Sequence, residues 1–266
     1  MDRWQQPPSR GITTRKRENA NFGKWHIGKY LMQCTRALWH WAFFLALACL
    51  PAVAQQNVQF LPEVDAYLKL NPILRAYLEA KDDQDGGDPQ QAGIGPSLQL
   101  YLKPLATLKQ VRAFDLDDAK TRFLVLETGY RYIWEPNSPA TDRMIVAATF
   151  NFPLKAGFSM SDRNRADLDW KDGNFAWRYR NKLTVERTVT IRNFHHIPYV
   201  AVEPFYESQF SKWSTTALYA GSLFPVGRHV QFNLYYEHEN NTGGHTNHPE
   251  NAVGLALYLF FSVERK

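Results

Sequence analysis

The chain has little cysteine: two residues, Cys34 and Cys49, both ahead of residue 55. A disulfide-stapled or cysteine-clustered metal scaffold is therefore excluded for everything after the leader. No apolar run is long enough for a membrane-spanning helix, which needs roughly 20 residues. The motifs of common enzyme chemistries are missing too: there is no Walker loop, G-x-G-x-x-G, G-x-S-x-G or H-E-x-x-H. A broad basic face is also lacking, although the net charge is +5. Residues 1–54 hold eight basic groups against two acidic, which leaves 23 basic and 24 acidic groups in the remaining 212 residues. A body close to neutral does not bind nucleic acid through phosphate contacts.

What the first 54 residues do contain is a targeting pattern. Ala37 to Leu50 is an apolar run of 14 residues, preceded by Arg36 and followed by Pro51 and Ala52-Val53-Ala54. A basic approach, a short apolar core and an A-x-A exit are the parts of a secretory signal peptide. The expected domains are thus a leader, 1–54, cleaved after Ala54, and a mature chain, 55–266, starting at Gln55. Lipoprotein processing at Cys49 is the rival, with Leu47 one place off its usual position. A start at Met32 would leave a signal of 23 residues, so translation is expected to begin there. N-terminal sequencing of an uncleavable precursor decides between Met32 and Met1.

After residue 55 the dominant period is two, the mark of half-buried strands. In 229–239, Val230, Phe232, Leu234 and Tyr236 share one face, and Gln231, Asn233, Tyr235 and Glu237 the other. In 175–189, Phe175, Trp177, Tyr179, Leu183 and Val185 oppose Arg178, Arg180, Lys182, Thr184 and Glu186. Segments 122–134 and 253–263 behave alike, and weaker copies lie at 58–69, 73–81, 96–103, 144–152, 156–165, 197–207 and 214–223. Turn chemistry such as Asp172-Gly173-Asn174 and Asn241-Thr242-Gly243-Gly244 separates them.

A soluble sandwich also alternates, but here the polar faces are rich in charge and glycine, and the apolar faces end in Trp134, Trp177, Tyr179, Tyr236 and Phe261. Apolar faces toward lipid, aromatic girdles and a polar lumen describe a transmembrane barrel. The expected fold is all-β, an antiparallel up-and-down barrel of 12 strands, with 10 possible. Eleven segments alternate, whereas bacterial single-chain barrels use even numbers with both termini periplasmic. Leu105–Phe114 supplies the twelfth if it is a strand, and dropping 58–69 gives ten. Counting back from a periplasmic C-terminus makes 240–250, 208–213, 170–174 and 135–140 external loops, and 224–227 and 153–155 periplasmic turns.

Several short motifs occur in order: Glu127-Thr128-Gly129-Tyr130-Arg131-Tyr132, Arg163-x-Arg165, Trp177-Arg178-Tyr179-Arg180-Asn181-Lys182-Leu183, Pro198-Tyr199-Val200, Glu203-x-Phe205-Tyr206 and Trp213. Together they resemble a bacterial outer-membrane β-barrel family known only as a domain of unknown function. The resemblance covers 120–266 well and 57–119 more loosely. It implies an outer-membrane barrel and no known activity. One departure is the end, Val263-Glu264-Arg265-Lys266, where many such barrels present a terminal aromatic to their assembly machinery. Either Phe261 serves that purpose or assembly is less efficient.

Alternation points Arg75, Glu79, Glu127, Arg131, Arg163, Arg165, Arg178, Arg180, Lys182, Glu186 and Glu203 into the lumen. An arginine ladder on 156–165 and 175–189 would bias a pore toward anions. The competing expectation, which is preferred, is a salt-bridge network filling a barrel narrower than porins of 16–18 strands. His238, His245 and His248 fall in or beside the loop 238–250, and His195-His196 at another turn. His245-Thr246-Asn247-His248 has the look of a hydrolase histidine, yet no serine closely follows. Asp82-Asp83-x-Asp85-Gly86-Gly87-Asp88 is acid- and glycine-rich like a calcium loop, but Ile94 stands where the closing glutamate belongs.

The leading expectation is a non-enzymatic protein of the outer membrane, a narrow channel or a structural component. No cofactor or metal is expected. The expected partners are the lipid bilayer, lipopolysaccharide and the barrel-assembly machinery. The alternatives are a lipid- or lipopolysaccharide-modifying enzyme using the loop histidines, and a soluble periplasmic barrel carrying an apolar ligand.

Overall fold

Val230 to Asn241 fixes the pattern of the molecule: Gln231, Asn233 and Tyr235 are buried, while Phe232, Leu234 and Tyr236 are exposed. The large apolar side chains point away from the interior. The computed structural model describes residues 58–85, 88–102, 115–192, 194–244 and 247–263, all within one unit. The leader and the whole of the segment 105–114 lie outside them.

The strands are β1 (Val58–Asn71), β2 (Leu74–Asp85), β3 (Asp88–Tyr101), β4 (Leu124–Trp134), β5 (Thr141–Pro153), β6 (Phe158–Lys171), β7 (Asn174–Arg187), β8 (Val189–Ile191), β9 (Phe194–Glu207), β10 (Lys212–Val226), β11 (Val230–Asn241) and β12 (His248–Ser262). Each wall strand pairs antiparallel with the next, β7 pairing with β9, and β12 closes on β1 in parallel. The three residues of β8 pair with β9 alone and prolong its hairpin with β7.

The fold is thus an all-β barrel of about twelve strands, eleven in the ring and one extra. The twelfth strand is β8, and residues 118–121, in the connection where a wall strand was sought, form a 3-10 turn. Strict alternation around an odd ring forces one parallel pair. As a result β1 starts at the end opposite to the one where β12 finishes, unlike the expected arrangement with both termini on one side. The links 135–140, 172–173 and 208–211, with residues 242–244, gather where β1 begins. The links 72–73, 154–157 and 227–229, with residues 115–123, gather where β12 finishes.

Asp172 and Gly173 both adopt positive φ, 50° and 75°, which is the two-residue turn whose twist matches a tight hairpin. The wall strands run eleven to fifteen residues, enough for the roughly 9–11 a tilted strand needs to cross a bilayer core.

Among the described residues the buried set divides almost evenly, seventeen apolar side chains and sixteen polar or charged. An apolar cluster of Leu61, Ala201, Phe205, Ala217, Tyr219, Tyr235 and Ala252 fills one side of the interior. On the outside, Val200 is 59% exposed, Phe175 55% and Trp213 54%. One outward patch is polar and satisfies itself: Asn181 donates to Asp162 and Asn164 at 2.6 and 3.1 Å, and Tyr179 to Asn164 at 2.5 Å.

Candidate functional site

The charged interior is the site, and it divides into three regions. The first lies on β5, β6 and β7, where alternation stacks arginines around Asp167, which is fully buried. Arg165 Nε donates to its Oδ1 at 2.5 Å, Arg178 Nη2 lies 3.4 Å from its Oδ2 and Arg180 Nη1 3.9 Å. Register explains the crowding, since Arg165 faces Arg180 and Asp167 faces Arg178 across the β6–β7 pair. Arg180 also donates to Glu203 at 2.8 Å, with Lys182 at 3.7 Å and the Tyr219 hydroxyl at 2.9 Å on the same carboxylate. Arg163 takes Glu127 at 2.9 Å, which accepts further bonds from Tyr77 and Gln99. Asp167 was missed in the sequence, although the parity that places Arg163 and Arg165 inside places it there too.

The second region is acidic, on β1 and β2. Asp65 stands opposite Glu79 in the register, and Glu63 opposite Lys81. One oxygen from each of Glu63, Asp65 and Glu79 lies within 4.8 Å of the others. Two unit charges at that separation repel by roughly 3 kcal/mol at an effective dielectric of about 20. Arg131 pairs with Glu79 from β4. It reaches across β3 at Gly95, where a Cβ would sit 1.9 Å from the Tyr130 carbonyl oxygen.

The third region is a plug at the end where β12 finishes. Asp117 caps the 3-10 turn Asp118–Thr121 by accepting from the Ala119 N–H at 3.0 Å. Arg75 donates to Asp117 at 2.6 Å, Lys69 pairs with Asp118, and Lys120 joins Glu186 at 2.6 Å. Asn151 donates to the Arg122 carbonyl at 2.8 Å, and Gln231 accepts from the Leu116 N–H at 3.4 Å. These partners stand on β1, β2, β5, β7 and β11, so the connection is moored around the ring rather than to one wall. Burial alone would raise Asp117, but the Arg75 and Lys120 charges outweigh it and hold its carboxyl below the ordinary value. Burial would lower Lys120, yet Asp115 and Glu186 beside it raise the ammonium above its ordinary value.

All eleven interior charges singled out in the sequence are thus placed. Arg75, Glu79, Glu127, Arg131, Arg165 and Glu203 are buried; Arg163, Arg178, Arg180, Lys182 and Glu186 are partly buried. Each has an oppositely charged partner. Among the described residues a cavity of about 220 Å³ is bordered by Lys81, Asp83, Arg131, Arg143, Arg178 and Glu237.

Among the described residues the histidines form no group of three with other potential ligands. His245 lies outside the described residues. His238 contacts Asn251 at 2.9 Å, His248 is 78% exposed with Glu250 at 3.3 Å, and His195 contacts Thr190 at 3.0 Å. The pair that sequence reasoning missed is His196 Nδ1 and Ser222 Oγ, 3.1 Å apart on the outer face of β9 and β10. Two residues 26 apart in the chain give no local motif to find. Among the described residues no carboxylate orients this ring. Of the acidic stretch, residues 82–85 end β2 and Asp88 begins β3, with Asp85 paired to Asp88, so strands rather than helices flank it.

No protein-family model and no curated protein matches the chain.

Proposed function

We propose that this chain is an outer-membrane β-barrel, a narrow channel whose lumen is closed at rest by the plug 115–122. One observation carries the reading, the inverted polarity of the wall. Leu218, Leu234 and Val146 are about half exposed, while Arg75, Glu127 and Asp167 are buried. Water would penalise that outer face and lipid rewards it. A second support comes from the aromatics: Trp134, Trp170, Phe175, Trp177 and Trp213 lie toward the end where β1 begins, and Phe194, Phe224 and Phe261 toward the other. The leader agrees with export, after which the barrel would meet lipid, lipopolysaccharide and the assembly machinery.

The test compares boiled and unboiled outer membranes containing the protein by gel migration. A heat-dependent shift in that fraction supports the barrel, and recovery as a soluble periplasmic protein overturns it. Single-channel recording then separates a channel from a purely structural barrel.

A second reading has one observation of its own. His196 and Ser222 place a base and a hydroxyl side by side where acyl chains would lie. Ser222→Ala with unchanged lipid profiles removes it.

A further inference from the structure

The arginine-rich side of the interior is matched with carboxylates, but the β1–β2 side is not. Three carboxylates meet there: Glu63 and Asp65 two residues apart on one face of β1, and Glu79 directly across from Asp65 on β2. Against them stand Arg131, which Glu79 engages, and Lys81, which is in register with Glu63 and makes no ion pair with it. Glu63 makes no hydrogen bond or ion pair among the described residues. Asp65 is only 4% exposed, and while its Oδ2 accepts from the Tyr67 hydroxyl at 2.7 Å, its Oδ1 is buried with no partner. A buried carboxylate oxygen without a donor is costly unless a cation or proton takes it.

We propose that Glu63, Asp65 and Glu79 bind a hard divalent cation, calcium being the ion they fit. All three offer oxygen and none offers nitrogen or sulfur, which selects calcium or magnesium over zinc or copper. The spread of up to 4.8 Å lies within the roughly 5 Å between oxygens on opposite sides of a calcium ion. Magnesium, at about 2.1 Å from each ligand, would require the cluster to contract. Access is provided by the interior cavity, since Glu79 lines both it and the cluster. The site ties the first two strands together at mid-height, beside the β1–β12 closure. It stands whether or not the barrel conducts.

The experiment uses the full chain folded in detergent micelles. Calcium and EDTA are compared by the temperature at which heat-dependent gel migration is lost, and terbium is titrated with tyrosine excitation. Tyr67 bonds to Asp65 and its ring lies 5.0 Å from that of Tyr77, so an ion held here lights up through them. Calcium is expected to raise the wild-type midpoint and terbium to emit. Asp65→Asn should weaken both by at least about tenfold, because one charged ligand is lost. That variant relieves like-charge crowding and should still fold, as its own gel shift will report. Glu63→Gln should act in the same direction, and Asp85→Asn, on the surface hairpin, should change neither signal. A wild type indifferent to calcium overturns the proposal. So does an effect that survives both Asp65→Asn and Glu63→Gln, or one that disappears with Asp85→Asn alone.

Discussion

Arg75 Nη1 donates to Asp117 Oδ1 at 2.6 Å, and through this bond the wall of the barrel holds the turn that fills its end. Arg75 itself cannot follow the turn if it moves. Its Nε and Nη2 both donate to Gln99 Oε1, at 2.9 and 2.6 Å, and its guanidinium lies 4.3 Å from the Tyr67 ring centroid. Asp117 is the movable partner, and Asp117→Ala removes an N-cap as well as an ion pair. The cap alone is worth about 1 kcal/mol. Channel openings should become frequent in Asp117→Ala and remain rare in Asp117→Asn, whose side chain still caps. Planar-bilayer recording at neutral pH measures the difference.

The same mooring has a pH window. Asp117 titrates lower in the folded chain than in the unfolded one, so its stabilisation is full above about pH 4 and fades as pH falls through its folded value. Lys120 titrates higher when folded, so its contribution is full below about pH 10 and fades as pH rises through its folded value. The turn should stay seated between these limits and loosen on acidification. Hydrogen exchange at the Ala119 amide reports this directly, because that N–H is bonded to Asp117. Protection unchanged down to pH 3 would contradict the assignment.

Glu203 is the acceptor that Arg180, Lys182 and Tyr219 share. Glu203→Gln keeps the shape and removes the charge, leaving two cations facing each other. Breaking a buried pair from one side typically costs about 3–5 kcal/mol. A large drop in the denaturant midpoint, followed by tryptophan fluorescence, is the expected outcome. The double change Glu203→Gln with Lys182→Gln should recover part of it.

Tyr235 lies between two glycines in register with it, Gly221 on β10 and Gly254 on β12. A Cβ at Gly254 would fall 2.0 Å from Tyr235 Cζ, and one at Gly221 2.7 Å from Tyr235 Cβ. Gly254→Ala should cost about 1–3 kcal/mol, the usual range for overpacking. In a Tyr235→Ala background the same substitution should cost almost nothing, and a double-mutant cycle measures that coupling.

Alternation made the wall legible. The faces of 229–239 and 175–189 read in the sequence coincide with the outward and inward faces of β11 and β7. Eleven alternating segments also match the ring, and the general preference for even counts drew the expectation toward another strand in 105–114. The acid cluster was less visible because β1 carries Pro62 and Ala66 outward beside Glu63 and Asp65 inward, a weak contrast of faces. The plug was hidden for a different reason. Asp117 and Lys120 belong to no periodic element, and only their partners Arg75 on β2 and Glu186 on β7 give them a place. His196 and Ser222 meet through strand register, which no local spacing encodes.

The parallel contact between β1 and β12 has a bearing on descent. Adding or removing a whole hairpin changes the strand number by two and leaves an odd ring odd. Every barrel that differs from this one by complete hairpins therefore keeps one like-directed pair between its first and last strands. Only gain or loss of a single strand converts it to the fully alternating kind, and that event would also carry one terminus to the opposite rim.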